Sequence, residues 1–256
     1  MRFACLGSGS EGNGLLVEAG GTRILIDCGF GIRDAVTRLA RLGVAPESIT
    51  AIVVTHEHND HIGGVAAFAA RFGTPVWLTF GTLATVAERF AALPAVFGFD
   101  SHDHFAIDSI EIRPFPVPHD AREPVQFVCS DGRWRIGLLT DLGVSTAHVE
   151  ATLSGCDALL LECNHDVEML ANGDYPYPLK QRIAGRQGHL DNAAAAALLA
   201  RLDNSRLKHL FAAHLSQHNN RPDLAQSALA GALNCAPEWV GIADQRDGFA
   251  WREFVT

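Results

Sequence analysis

Thr55-His56-Glu57-His58-Asn59-Asp60-His61 places three imidazoles and two carboxylates within six residues, directly after the apolar run Ala51-Ile52-Val53-Val54. Such side chains are metal donors. In a loop, His56 and His58 can point at one ion while Asp60 and His61 turn toward a second, so one short segment accommodates two ions. Imidazole with carboxylate and no thiolate suits Zn²⁺, Mn²⁺ or Fe²⁺ and does not choose among them. The apolar run reads as a buried strand, which puts the cluster at a strand end, where ligands bind in α/β proteins.

Other donors also follow apolar runs: His119 after Ile112 to Val117, Asp141 after Ile136 to Leu139, and His214 after Leu210-Phe211. A closed structural site gathers four ligands in short spans. These candidates spread over more than half the chain and outnumber one tetrahedron, so the pattern points to a catalytic centre. Asp27, before Cys28-Gly29, and Glu162, at the end of Ala158-Leu159-Leu160-Leu161, add buried-strand carboxylates. The lesser reading of Asp27 is a turn-forming residue before Gly29.

The elements that must position these residues are short. Strands are expected at Phe3 to Leu6, Leu15 to Glu18, Thr22 to Asp27, Pro75 to Thr79, Ile110 to Val117, Val125 to Ser130, Trp134 to Thr140, Ala158 to Glu162, Lys208 to Ala213 and Phe249 to Phe254. Helices are expected at Arg33 to Arg41 with Gly43 as stop, at Val65 to Phe72, and from an Asp191 or Asn192 cap to Leu202. The glycine-rich stretch Gly7 to Gly14 leads into a strand and lacks a following Gly-Lys-Ser/Thr, so it is a tight turn and not a phosphate-cradling loop. Strands in two groups with helices outside imply an α/β protein, a four-layer αββα sandwich, as a single domain over 1–256.

Composition agrees with a packed globular chain: 256 residues, 48% hydrophobic and 19% charged. The net charge of −9 disfavours broad wrapping of nucleic acid, although bound ions add local positive charge. Six cysteines without a CxxC pair read as reduced thiols of a cytoplasmic protein. No apolar run reaches signal-peptide or membrane-spanning length.

In order, Asp27, His56-x-His58-x-Asp60-His61, His119, Asp141 and His214 resemble the five motifs of the metallo-β-lactamase fold superfamily. Ser8-Gly9-Ser10-x-Gly12-Asn13, Glu162-Cys163-Asn164-His165-Asp166, Gly188-His189-Leu190-x-Asn192 and His214-Leu215-Ser216-x-x-Asn219-Asn220 resemble its YycJ/WalJ-like branch. That branch is associated with DNA exonuclease activity around mismatch repair. The resemblance implies one ion on His56, His58 and His119, a second on Asp60, His61 and His214, Asp141 bridging them, and Asp27 orienting a ligand from outside.

Two such ions can hold a hydroxide, aim it at phosphorus and neutralise charge on the phosphate oxygens, which is phosphodiester hydrolysis. Glu162 and His189 are similar to the pair in ribonuclease Z that serves proton transfer or phosphate contact. His189, ahead of a helix start that favours an anion, is read as general acid with Glu162 as its orienting partner. Pairing of Glu162 with Arg182 or Lys180 remains the alternative. His165, Lys180 and Arg182 are candidate phosphate contacts, with a solvated loop His and an ordinary exposed basic pair as the other readings.

The leading expectation is thus an exonuclease with DNA as substrate and two divalent ions as cofactor. The length leaves no room for the inserted cap of the RNA-processing nucleases, and no ribonuclease Z-like arm is evident. A cyclic phosphodiesterase, a thioester or lactone hydrolase, and a metal-binding scaffold without turnover are the alternatives. A homodimer is neither indicated nor excluded.

Overall fold

Side chains pointing alternately to the two faces of nearly fully buried strands sort the apolar residues into three layers. In the computed structural model, which describes residues 1–254, the first strands are β1 (Arg2–Gly7), β2 (Gly14–Ala19), β3 (Thr22–Ile26), β4 (Ala51–Val53), β5 (Val76–Thr79) and β6 (Val96–Phe99). The second group comprises β7 (Phe105–Ile107), β8 (Ile110–Pro116), β9 (Val125–Ser130), β10 (Arg135–Leu139), β11 (Ala158–Glu162), β12 (His209–Ala213) and β13 (Gly241–Ile242). The chain then returns to the first group in β14 (Phe249–Glu253).

Two seven-stranded sheets result, ordered β14-β1-β2-β3-β4-β5-β6 and β13-β12-β11-β10-β9-β8-β7. Val17, Ile24, Val53, Phe127, Leu160 and Phe211 meet in the layer between them. Their strand neighbours Leu16, Leu25 and Ile52 pack outward under the helices α1 (Ile32–Arg41), α3 (Val65–Phe72) and α4 (Phe80–Phe90); the single turn α2 (Asn59–Ile62) precedes α3. On the other side Leu159, Leu161 and Leu210 face α5 (Ala147–Leu153), α8 (Asn192–Arg201) and α9 (Pro222–Leu233), while α6 (Val167–Asn172) and α7 (Tyr177–Ile183) lie between α5 and α8 in the chain. Period-two alternation with both faces apolar is what a sheet covered on both sides requires. The layers run α, β, β, α, as the pattern of strands and helices predicts.

The expected strands all form, most of them one residue shorter at an end, and β14 closes the edge of the first sheet against β1. Gly43 follows α1 with φ +70°, a backbone that glycine adopts without strain. Helix α4 has no comparable signature in its Gly- and Thr-containing sequence. It is made by the Thr79 side chain accepting from the Thr82 N–H and by burial of Thr82, Val86 and Phe90 on one stripe.

For the site, strand direction matters most. β3 and β4 run parallel, as do β10, β11 and β12, and β8 shares the direction of β10 because each is antiparallel to β9. Their carboxyl ends therefore gather at one edge of the sandwich.

Candidate metal centre and active site

Every donor expected from the sequence lies at that edge. Asp27 follows β3, Thr55 to His61 follow β4, His119 follows β8, Asp141 follows β10, Glu162 ends β11 and His214 follows β12. Asp27, Asp141 and His214 adopt the left-handed conformation, with φ of 60°, 52° and 55°. A residue other than glycine pays roughly 1–3 kcal/mol for it. The conformation turns the chain sharply as it leaves the sheet, at three residues whose side chains face the cluster.

Around α2 the backbone is held from outside. The Cys28 N–H donates to the His61 carbonyl at 2.8 Å and the Asn13 N–H to the Asp60 carbonyl at 2.8 Å. Gly29 packs so closely there that a Cβ atom would collide with the Asp60 carbonyl. The glycine-rich turn thus does more than reverse the chain: Asn13 Nδ2 lies 3.1 Å from His61 Nε2, and Ser8 Oγ accepts the His214 N–H at 3.0 Å.

Donor atoms of His56, His58 and His119 lie within 4.8 Å of one another, and so do those of Asp60, His61 and His214. Asp141 sits between the two groups, its Oδ2 2.8 Å from His61 Nε2 and its Oδ1 3.9 Å from His119 Nε2. The five imidazoles are pinned through their other nitrogen. His56 Nδ1 meets Thr55 Oγ1 at 3.0 Å, His58 Nε2 the Asp120 carbonyl at 3.2 Å, His61 Nδ1 Asp27 at 2.8 Å, His119 Nδ1 the Gly188 carbonyl at 3.1 Å, and His214 Nδ1 Glu162 at 3.2 Å. Outer partners of this kind set tautomer and ring direction in metal sites. His56 Nε2 and His214 Nε2 are buried and make no hydrogen bond among the described residues. Buried nitrogens left unpaired are costly. An ion at each group accounts for them, so the donor set fits divalent metals.

Without ions the electrostatics are those of an acidic nest compensated by protons. Burial works against charge on Asp60 and Asp141, yet their histidine neighbours hold both carboxyls well below the usual range. Burial likewise lowers His61 and His214, but Asp141 with Asp27 raises the first well above its ordinary value, and Asp141, Asp60 and Glu162 lift the second to about 10. His56 and His119, governed by burial, shift down. Protons on His61 and His214 occupy positions where a cation is wanted.

Glu162 is fully buried. Its Oε2 accepts the Leu142 and Leu190 N–H groups at 2.8 and 3.1 Å, and its Oε1 accepts from His189 Nδ1 at 2.8 Å. Despite burial, contact with His189 brings this carboxyl to about 2. Burial pulls His189 down, and Glu162 more than offsets it, leaving the imidazole raised. Asp141, Glu162, His189 and His214 also form a fourth cluster of donors.

One expectation needs correcting. The start of α8 is not an open anion site, because the Asp191 carboxylate already accepts the Ala194 N–H at 2.8 Å. The two basic candidates face different spaces: residues two apart on a helix diverge, and Arg182 lines the cleft while Lys180 lines a neighbouring cavity and donates to the Ala171 carbonyl at 2.7 Å. Arg182 Nε bonds Asp120 Oδ2 at 2.6 Å, and neither basic residue pairs with Glu162. His165 is buried and belongs to the neighbouring cavity with Lys180. Glu57, between the donors, accepts the Arg122 N–H at 2.6 Å and so serves the loop. Asn13, Ser8, Thr55 and Asp120 support the donors: Ser8 and Asn13 lie in the glycine run, and Thr55 and Asp120 each adjoin a motif histidine.

The donors open on a cleft of about 380 Å³ rimmed by Ser10, Asp120, Tyr175, Arg182 and His189. Two helix-faced sheets with histidine and aspartate donors where their strands end define a metal-dependent hydrolase. A family model described as "Beta-lactamase superfamily domain" matches residues 22–210, and the chain belongs to that superfamily. It is 33% identical to exodeoxyribonuclease YycJ of Bacillus anthracis, over 95% of this chain and 93% of that protein. It is 32% identical to exodeoxyribonuclease WalJ of Streptococcus pneumoniae, over 94% of this chain and 91% of that one. The metallo-β-lactamase fold protein YhfI of Bacillus subtilis superposes with a TM-score of 0.77 at 16% identity, covering 99% of this chain and 98% of the other, which shows the shared fold.

Proposed function

We propose that this chain, as one domain over residues 1–256, is a dinuclear metal-dependent phosphodiesterase that shortens DNA from an end. His56, His58 and His119 would hold one ion and Asp60, His61 and His214 the other, with Asp141 shared; Zn²⁺, Mn²⁺ and Fe²⁺ all suit these donors. When bound, such a pair neutralises phosphate charge and lowers the pKa of an attacking water.

The observation that carries the reading is the His189–Glu162 pair, 2.8 Å apart, with His189 lining the cleft 3.4 Å from Asp141. A diester leaving group departs as an alkoxide and needs a proton. Glu162 raises His189, which favours its protonated form, and with Nδ1–H donated to Glu162 its Nε2–H is free for the departing oxygen. Arg182, steered by Asp120 at the rim, supplies a guanidinium suited to a neighbouring phosphate. A narrow cleft with one rim arginine suits a strand end better than a broad basic face on a chain of net charge −9. The names of the exodeoxyribonuclease relatives support DNA as the polymer.

The test is metal-reconstituted protein with end-labelled single- and double-stranded DNA, beside an Asp60→Ala control. Stepwise shortening by wild type alone is expected. Turnover of cyclic or small diesters with intact DNA would sink the nuclease reading and leave the phosphodiesterase.

A further inference from the structure

His189 lines two cavities. One is the cleft over the donors; the other, of about 470 Å³, is also lined by His165, Val167, Tyr177, Lys180 and Ala184. That volume lies within the ~300–1,000 Å³ of small-ligand sites. Its walls carry two kinds of unsatisfied group. Tyr177 and Val167 are 72% and 56% exposed, large side chains that the fold leaves uncovered. His165 is only 2% exposed, yet beyond the 3.3 Å contact of Nδ1 with Asn164 Oδ1 its ring has no hydrogen-bond partner among the described residues, so Nε2 is left unpaired against the cavity. Lys180 spends one donor on the Ala171 carbonyl and keeps two.

An apolar and aromatic wall, one fixed imidazole nitrogen and one ammonium are what a nucleoside with an adjoining phosphate would use. Direction along the substrate follows from His189. If His189 protonates the departing oxygen, the group on that oxygen lies on the His189 side of the cleft, the side on which the second cavity adjoins it. We propose that the second cavity is the subsite for the nucleoside on the departing oxygen, with its base against Tyr177 and Val167, a hydrogen bond from the base edge to His165, and the next phosphate at Lys180. The inference rests on the phosphodiesterase reading above. In the step it serves, a water oxygen bonds to phosphorus, the bond from phosphorus to the departing oxygen breaks, His189 gives that oxygen its proton, and the nucleoside leaves as an alcohol; the proton of the attacking water is released to solvent.

The experiment uses the full chain loaded with Mn²⁺ and three dinucleotides: dithymidine phosphate, and the same diester with an abasic sugar on its 5′ or its 3′ side. In wild type, removing the base from one side only is expected to raise KM about fivefold or more, the worth of one base on an aromatic ring. Ala184→Trp, which fills the cavity from an exposed position, and Tyr177→Ala, at an exposed side chain, should each bring that ratio toward one. Equal KM for all three diesters in wild type overturns the subsite while leaving the phosphodiesterase intact, as does a ratio that survives both substitutions. Failure to cleave any nucleotide diester, alongside turnover of a thioester or lactone, overturns the phosphodiesterase reading and the subsite with it.

Discussion

The two sheets build their shares of the site differently. The first sheet delivers His56, His58, Asp60 and His61 from one loop and the single turn α2. The second sheet delivers His119, Asp141, Glu162 and His214 one at a time, each from its own strand end. The first share depends on local backbone clamps, the second on the register of β10, β11 and β12 and on two left-handed residues. A local share is tuned by its supports, whereas each member of the distributed share is a separate point of failure.

Asp141 tests that contrast most severely, since it faces both donor groups. Asp141→Ala is expected to lower kcat/KM by about 10³-fold or more, several kcal/mol of barrier, and to reduce bound metal measured by atomic emission. Full metal content with near-normal turnover would remove Asp141 from its shared position. Next comes His189→Ala, with an expected loss of about 10²–10⁴-fold at unchanged metal content. Its partner gives a pH readout. With protonated His189 as the proposed acid, turnover should fall as pH rises through its raised pKa; Glu162→Gln removes the charge that raises it, and the alkaline limb of kcat should move to lower pH. An unmoved limb assigns the proton elsewhere.

On the local side the effects should be smaller. Asp27→Asn leaves every proposed donor in place but weakens the hold on His61 directly and on His56 only through Thr55, and a 10–100-fold loss in affinity for the ion on His61, larger than for the ion on His56, is expected by competition with a chelator dye. Equal weakening of both ions would mean that the first sheet does not act through local clamps. Ser8→Ala removes the acceptor for the His214 N–H, which should cost about 1 kcal/mol in denaturant unfolding. Metal binding itself should release protons, chiefly from His214 and His61, because both are raised in the ion-free cluster. Calorimetry in buffers of different ionisation enthalpy reads that number directly, and zero release at pH 8 contradicts the proton-compensated nest.

The donors were legible because their chemistry is rare and their positions coincide with the ends of apolar runs, a one-dimensional signal. The four layers were legible for the same reason, since strands buried on both faces read as continuous apolar stretches such as Leu159-Leu160-Leu161. What escaped is set by three-dimensional return of the chain. Arg182 reaches Asp120 across 62 residues, and no spacing rule predicts that α7 turns Arg182 into the cleft and Lys180 out of it. The Asp191 cap was visible as a helix start, yet its consequence for anion binding depends on the carboxylate already filling the place. Helix α4 is a tertiary product, stabilised by what it covers.

The bond between Ser8 and the His214 N–H joins positions 206 apart in sequence. With the donors as proposed, a nascent chain has no complete set until residue 214 has left the ribosome and β12 has docked beside β11. A hydrolase assembled this way is inert while its chain is being made, until that last strand docks.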